Sequence, residues 1–280
     1  MKVSLRATVD LALPDASDPS LQNIYFFNLY RSGSSVMEAV ALALAAETGR
    51  APVNIMQSLY DMGVEYDVAD QRGNSRVYLS EPSDLDQFAR FGGYLIYGFR
   101  EIPQGYAEAF EHRGAAILMV RDPRDIAISH YHAIKKHSQD NPVTSKHIQG
   151  ALKKAEEQSL EDYILSPDML RFIRRICVNY APLIRGGLKP VHYEDLFDET
   201  GFSTRLLCDA VLAETGDYLG GGIDAATLYA RTQKFAEDSV ALKGHATSGG
   251  TRGFMALDPD VRNELTAKLE DCLHLLNYEL

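Results

Sequence analysis

Cysteine is scarce in this chain and does not cluster: Cys177, Cys208 and Cys272 stand alone, with no C-x-x-C and no paired histidine spacing. That excludes a disulfide framework and a structural zinc site, and predicts reduced cysteines in the core or on helices. Long apolar runs are missing too. Nothing approaches the ~18 apolar residues of a spanning helix, and Met1-Lys2-Val3-Ser4-Leu5-Arg6 lacks the apolar centre of a signal peptide. A soluble, cytoplasmic protein without membrane insertion is the expectation. Positive charge is the third shortage. Lys and Arg number 28 against 39 Asp and Glu, for a net charge of −11 and a pI of about 5.2. A general nucleic-acid binder relies on a positive field, so no nucleic-acid partner is expected. An anionic ligand must meet a local basic cluster, for which Arg31, Arg121, Arg124 and Arg252 are the candidates, each beside a turn.

No composition break, repeat or low-complexity tract divides the 280 residues, of which 45% are hydrophobic. The expectation is one α/β domain spanning 1–280, with enough apolar surface for a sizeable core. Its organising stretch is Ile24-Tyr25-Phe26-Phe27-Asn28-Leu29, a continuous apolar and aromatic run that reads as a buried strand. The Ala/Leu-rich segment from Val36 to Ala46 reads as a helix, so Tyr30-Arg31-Ser32-Gly33-Ser34-Ser35 is a strand-to-helix loop. Such loops bind phosphate-type anions, because helix-start N–H groups lack intrahelical partners and the macrodipole is positive there. Ser35-Val36-Met37-Glu38 also fits a capping box, in which Ser35 is merely the helix cap. The Walker pattern G-x-x-x-x-G-K-[ST] is not met: Asn28 stands at its first glycine and Ser34 at its lysine.

Two further buried strands follow, Tyr94–Phe99, ending at Arg100-Glu101-Ile102-Pro103, and Ala115–Val120, running into Arg121-Asp122-Pro123-Arg124-Asp125. Asp122 is a good N-cap and Pro123 suits the first helical position, so Arg121 stands where a strand ends and a helix begins. On that helix Asp125, Ser129 and His132 share one polar stripe. Residues 149–164 read as one charged helix, Ser166-Pro167 starts another, and Leu188–Tyr193 reads as a strand with Glu194-Asp195-Leu196 at its exit. Helices over 203–214 and 224–243 precede a Gly/Ser/Thr-rich stretch, 245–253, and Asp258-Pro259 caps a final helix. Alternating strands and helices predict an α/β fold, a parallel sheet with helices on both faces.

The pair of motifs, Tyr30-Arg31-Ser32-Gly33-Ser34-Ser35 early and Val120-Arg121-Asp122-Pro123-Arg124-Asp125-Ile126-Ala127-Ile128-Ser129 in the middle, resembles the sulfotransferase family. The resemblance implies a P-loop-like three-layer sandwich that uses 3′-phosphoadenylyl sulfate (PAPS) as co-substrate, with no metal expected. It implies that Arg31, Ser32, Gly33, Ser34 and Ser35 hold the 5′-phosphosulfate, and that Arg121 and Ser129 hold the 3′-phosphate. Tyr193-Glu194-Asp195-Leu196 is similar to the family's strand-end motif, whose tyrosine lies near the adenine. Gly250-Thr251-Arg252-Gly253 is similar to its C-terminal glycine loop, which usually carries Arg-Lys before its first glycine. Here Ser248-Gly249 occupies those places, so Arg252 and Gly253 become the nucleotide candidates.

Cytosolic members keep a catalytic histidine at the end of the strand that here runs into Glu101. Glu101 is the nearest proton acceptor and the candidate general base, beside Arg31 as the catalytic cation; His130, His132 and Glu65 are alternatives. The implied reaction is in-line sulfuryl transfer to a hydroxyl or amine of a small-molecule or glycan acceptor, and a homo-oligomer is compatible with these residues. Two other readings remain open at this point. A P-loop-like nucleotide or phosphometabolite kinase requires the lysine the loop lacks, and a non-catalytic nucleotide-binding protein of the same fold accommodates the missing histidine.

Overall fold

The computed structural model describes residues 2–5, 9–55, 91–99, 114–140, 146–199, 201–219, 222–238 and 252–280. The strands are β1 (Lys2–Leu5), β2 (Val9–Ala12), β3 (Asn23–Asn28), β4 (Ala51–Asn54), β5 (Tyr94–Phe99), β6 (Gly114–Val120), β7 (Pro190–His192), β8 (Phe197–Asp198) and β9 (Gly201–Phe202). The helices are α1 (Ser34–Thr48), α2 (Pro123–Asp140), α3 (Lys146–Glu157), α4 (Leu160–Ile164), α5 (Pro167–Arg185), α6 (Thr204–Thr215), α7 (Ala225–Asp238), α8 (Pro259–Lys268) and α9 (Glu270–Leu275). β1 and β2 form an antiparallel hairpin, as do β8 and β9. Five strands form one sheet in the order β4-β5-β3-β6-β7, every neighbouring pair parallel.

Alternation along β3 builds two cores. Ile24 and Phe26 point to the side covered by α1, α6 and α7, where they meet Val40, Leu44, Leu207, Val211 and Leu228. Tyr25 and Phe27 point to the other side and pack with Ile126, Ile173, Tyr180 and Leu265 from α2, α5 and α8. A strand covered on both faces has no polar-out position, which is why β3 reads as a continuous apolar run. Full burial of Phe26 and Phe27 contributes about 1.5–3 kcal/mol each. The sandwich of helices, sheet and helices is the α/β architecture expected from the sequence.

The order of the strands locates the crevice. From β3 the chain turns toward the β4 edge, and from β6 it turns toward β7, so the direction reverses between two adjacent central strands. Ligands of open α/β sheets bind outside the carboxyl ends of the strands at such a reversal. The loops leaving β3 and β6 there are 29–33 and 121–122. Gly98 kinks the neighbouring strand: its φ is 82°, and a Cβ there would lie 2.4 Å from Asn54 Oδ1, next to the register shift between β3 and β5.

Several boundaries differ from the sequence reading. The predicted 149–164 helix breaks at Ser159, whose hydroxyl accepts the Asp162 N–H and restarts the chain as α4. The final helix divides at Leu269, which is fully buried with φ −113°. α2 runs to Asp140, and α3 opens at Lys146. The readings on Glu65, Glu101, Ser248, Gly249, Gly250 and Thr251 lie outside the described residues. Cys177, Cys208 and Cys272 are free and buried, as expected.

Candidate anion-binding site

The loop after β3 is held to β6 before it turns. Leu29 N–H donates to Met119 O at 3.0 Å, one bond past the end of β3. Ser32, fully buried, turns inward: its hydroxyl donates to Leu29 O at 2.5 Å and lies 3.3 Å from Met119 O. The chain then passes through two left-handed residues, Arg31 with φ 61° and Gly33 with φ 82°. Gly33 is the N-cap of α1, and no side chain caps that helix start. An α-helix opening on a loop without a side-chain cap is the arrangement that receives anions.

The capping box that Ser35 and Glu38 also fit is therefore not formed. Glu38 does not reach back to the helix start, because it is taken by two strands of the sheet. Its Oε1 accepts Asn54 Nδ2 at 3.1 Å and the Tyr97 hydroxyl at 3.4 Å. Burial first, and then the negative charge of Glu38, pushes the Tyr97 hydroxyl well above its ordinary range.

Two stretches almost a hundred residues apart meet at this loop. Arg31 Nε donates to Ser129 Oγ at 3.1 Å, and Arg121 Nη1 donates to the Arg31 carbonyl at 2.9 Å. Ser129 lies on α2, whose start is capped by Asp122 through the Arg124 N–H at 2.8 Å. The Arg121 guanidinium sits over the ring of Tyr193, 4.8 Å from its centroid. That ring closes the underside of the loop: a Cβ on Gly33 would stand 3.0 Å from Tyr193 Cε2 and 3.2 Å from Met119 Cε. Glycine is required at position 33 both for its φ and for this approach. Burial pushes the Tyr193 phenol upward against the opposing charge of Arg121.

Arg252, exposed at the start of the described C-terminal segment, is a further candidate arginine. Its φ is 62°, and of the described non-glycine residues only Arg31, Arg252 and Asn277 have positive φ. Two of these three are candidate ligand arginines, and strained backbone of this kind concentrates at functional sites. The Arg252 N–H donates to Asp125 Oδ2 at 2.6 Å and the Phe254 N–H to Asp125 Oδ1 at 3.0 Å. Gly253 lies between them, 3.5 Å from Asp125 Oδ1 by its virtual Cβ.

Arg124 is not available as the free cation its position beside a turn suggested. It is buried, and its guanidinium is paired with Asp122 at 2.7 Å. It also donates to Thr266 Oγ1 and to the Glu279 carbonyl and lies 3.9 Å from the centroid of Phe254. His130 is likewise committed: Nδ1 is 3.0 Å from the Tyr163 hydroxyl, and the ring packs on Phe172, which meets Tyr30 edge-on. Burial raises Tyr163 to about 12. His132 is exposed on the same helix.

Asp125, Glu194 and Tyr278 belong to this neighbourhood without standing out in the sequence as site residues. Asp125 was one member of a polar stripe. Glu194 ties strands to tail, accepting the Asp122 N–H at 3.0 Å and the Tyr278 hydroxyl at 2.6 Å. The signals were present in Arg-Asp-Pro-Arg-Asp and Tyr-Glu-Asp, but their partners lie 72 to 129 residues away. Among the described residues, no group of three or more His, Cys, Asp or Glu is placed to hold a metal ion, and no helix is long and apolar enough to cross a membrane.

No protein-family model matches the chain, and no curated protein matches it. Solved structures do. Mouse sulfotransferase SULT7A1, complexed with PAP, aligns at 14% identity and a TM-score of 0.45 over 91% of this chain and 87% of its own. Retinol dehydratase, in a complex with retinol and PAP, aligns at 14% identity and 0.42 over 96% and 84%. A sulfotransferase from Alicyclobacillus acidocaldarius aligns at 14% and 0.39 over 93% and 98%. Similarity at this level leaves the function to be argued from the side chains.

Proposed function

We propose that the protein is a PAPS-dependent sulfotransferase, and that the crevice between the β3 and β6 loops holds the nucleotide. The observation that carries the reading is the meeting of the two motifs, Arg31 Nε on Ser129 Oγ and Arg121 Nη1 on the Arg31 carbonyl. In this reading the start of α1, with Gly33, Ser34 and Ser35, receives the 5′-phosphosulfate through backbone N–H groups and hydroxyls. Ser32 braces the loop from inside. Arg121, Ser129 and Arg252 receive the 3′-phosphate, and Tyr193 borders the adenine side. Nucleotide binding exchanges the Arg31–Ser129 bond for phosphate oxygens.

The acceptor oxygen or nitrogen attacks sulfur, the bond from sulfur to the bridging phosphate oxygen breaks, and adenosine 3′,5′-bisphosphate leaves. Charge grows on that bridging oxygen as the bond lengthens, and Arg31 is the cation assigned to it. A guanidinium stays charged at any working pH and grips two oxygens at once. The acceptor proton goes to a base, for which Glu101 is the candidate. A carboxylate in this role contributes about 10²–10⁴-fold. The acceptor is a small molecule or a glycan bearing a hydroxyl or amine.

The test is sulfuryl transfer from PAPS, followed as adenosine 3′,5′-bisphosphate formed, across a panel of hydroxyl and amine acceptors in the presence of a chelator. Turnover is expected with PAPS, with none when ATP replaces it. Glu101→Gln is expected to bind nucleotide normally and to turn over about 10²–10⁴-fold more slowly. Phosphoryl transfer from ATP instead of sulfuryl transfer would overturn the reading in favour of a kinase.

A further inference from the structure

A carboxylate beside an anion site repels the ligand, so the position of Asp125 demands a reason. It is 2% exposed, on the first turn of α2, one turn before Ser129. Both of its oxygens are spent on one partner segment: Oδ2 takes the Arg252 N–H at 2.6 Å and Oδ1 the Phe254 N–H at 3.0 Å. The segment so gripped runs as a single turn from Gly253 to Ala256, with Arg252 left-handed at its start. Arg124 holds it from the other side through the Phe254 ring at 3.9 Å. The backbone of Arg252 is thus fixed, while its side chain is exposed and extends from that anchor.

We infer that Asp125 is a positioning residue for nucleotide recognition: it clamps the Arg252 backbone against the helix that carries Ser129 and follows Arg121, so that the three side chains converge on one phosphate. The inference rests on the function proposed above, and it adds a role that neither motif implies. Spending the carboxylate on two amides also removes much of its repulsion for an arriving phosphate, because each N–H is a dipole pointed at the charge.

Two measurements test it on the full chain. Hydrogen exchange without nucleotide reads the clamp directly: Asp125→Asn, which offers one acceptor where two are needed, is expected to speed exchange across 252–256 and leave β3 and β6 protected. Unchanged exchange in that segment would overturn the clamp whatever the protein binds. Titration with adenosine 3′,5′-bisphosphate and with AMP then reads its purpose. Asp125→Asn is expected to lower bisphosphate affinity roughly tenfold and to leave AMP affinity unaltered. The double variant Asp125→Asn/Arg252→Ala is expected to bind no more weakly than Arg252→Ala alone, since both act through one contact. Additive losses, or equal losses for AMP and the bisphosphate, would make Asp125 merely structural. Should Asp125→Asn fail to fold, Asp125→Glu, which keeps both acceptors one methylene further out, carries the same measurements. A wild-type protein that binds neither nucleotide would contradict the proposed function and leave the exchange result to decide the clamp.

Discussion

At the scale of single residues, Arg121 and Arg124 stand three apart beside the same turn and do opposite things. Arg121 lies over Tyr193 with one nitrogen on the Arg31 carbonyl, whereas Arg124 is sealed against Asp122 with side-chain exposures of only 6% and 5%. Position beside a turn does not separate the two arginines, because Thr266 and Glu279, which claim Arg124, are 142 and 155 residues away; only the motif resemblance set Arg121 apart. Removing one member of a buried pair strands the other charge. Arg124→Ala is therefore expected to destabilise the fold by about 3–5 kcal/mol, read from urea or guanidinium unfolding; a change below about 1 kcal/mol would mean that the pair is solvated.

Asp125 provides a pH test at the same scale. Burial, the largest influence, holds its carboxyl above the ordinary aspartate value of about 4, against the Phe254 amide, the charge of Arg121 and the Arg252 amide, with Asp122 adding to the rise. A carboxyl raised on folding contributes stability that is complete below its unfolded pKa and is lost as pH rises through the folded one. Urea unfolding of the wild type and Asp125→Asn across a pH series should show the wild type losing ground to the variant in a window that opens at about pH 4. Parallel curves would contradict the assignment.

At the scale of elements, the central strand and its loop were legible because β3 is buried on both faces and α1 is Ala/Leu-rich. The cap of α1 was not. A capping box needs Glu38 to fold back on its own helix, but Asn54 and Tyr97 on β4 and β5 claim its carboxylate, and no local pattern reveals partners on other strands. Ser35→Ala is therefore expected to change stability by less than about 0.5 kcal/mol. Asp258→Ala, at a helix where the side chain does cap by accepting the Asp260 N–H, is expected to cost about 0.5–2 kcal/mol. Thermal or denaturant unfolding of the two variants checks the contrast, and equal losses would restore Ser35 as a cap.

At the scale of the whole molecule, strand order brings the two motifs to one crevice, and the C-terminal tail closes the back of it. Tyr278 donates to Glu194, Arg124 reaches the Glu279 carbonyl, and His192 Nε2 lies 2.8 Å from the Leu276 carbonyl. The alternation of strands and helices was readable from hydrophobic pattern. The placing of β6 directly beside β3 was not, because a parallel neighbour is chosen by packing between distant segments. Motif resemblance supplied that adjacency in advance for Arg31, Arg121 and Ser129, whereas for Asp125, Glu194 and Tyr278 only the packed structure did.

In the proposed function this crevice recognises two phosphates of one nucleotide, the second through Arg121. Calorimetric titration of the full chain with adenosine 3′,5′-bisphosphate and with AMP, both without magnesium, tests it most directly. The bisphosphate is expected to bind at least about tenfold more tightly than AMP, and Arg121→Ala is expected to cost about one to two decades of bisphosphate affinity, the worth of a charge-assisted contact of roughly 1.5–3 kcal/mol, with Ser129 and Arg252 still in place. Equal affinity for the two nucleotides in the wild type would contradict it.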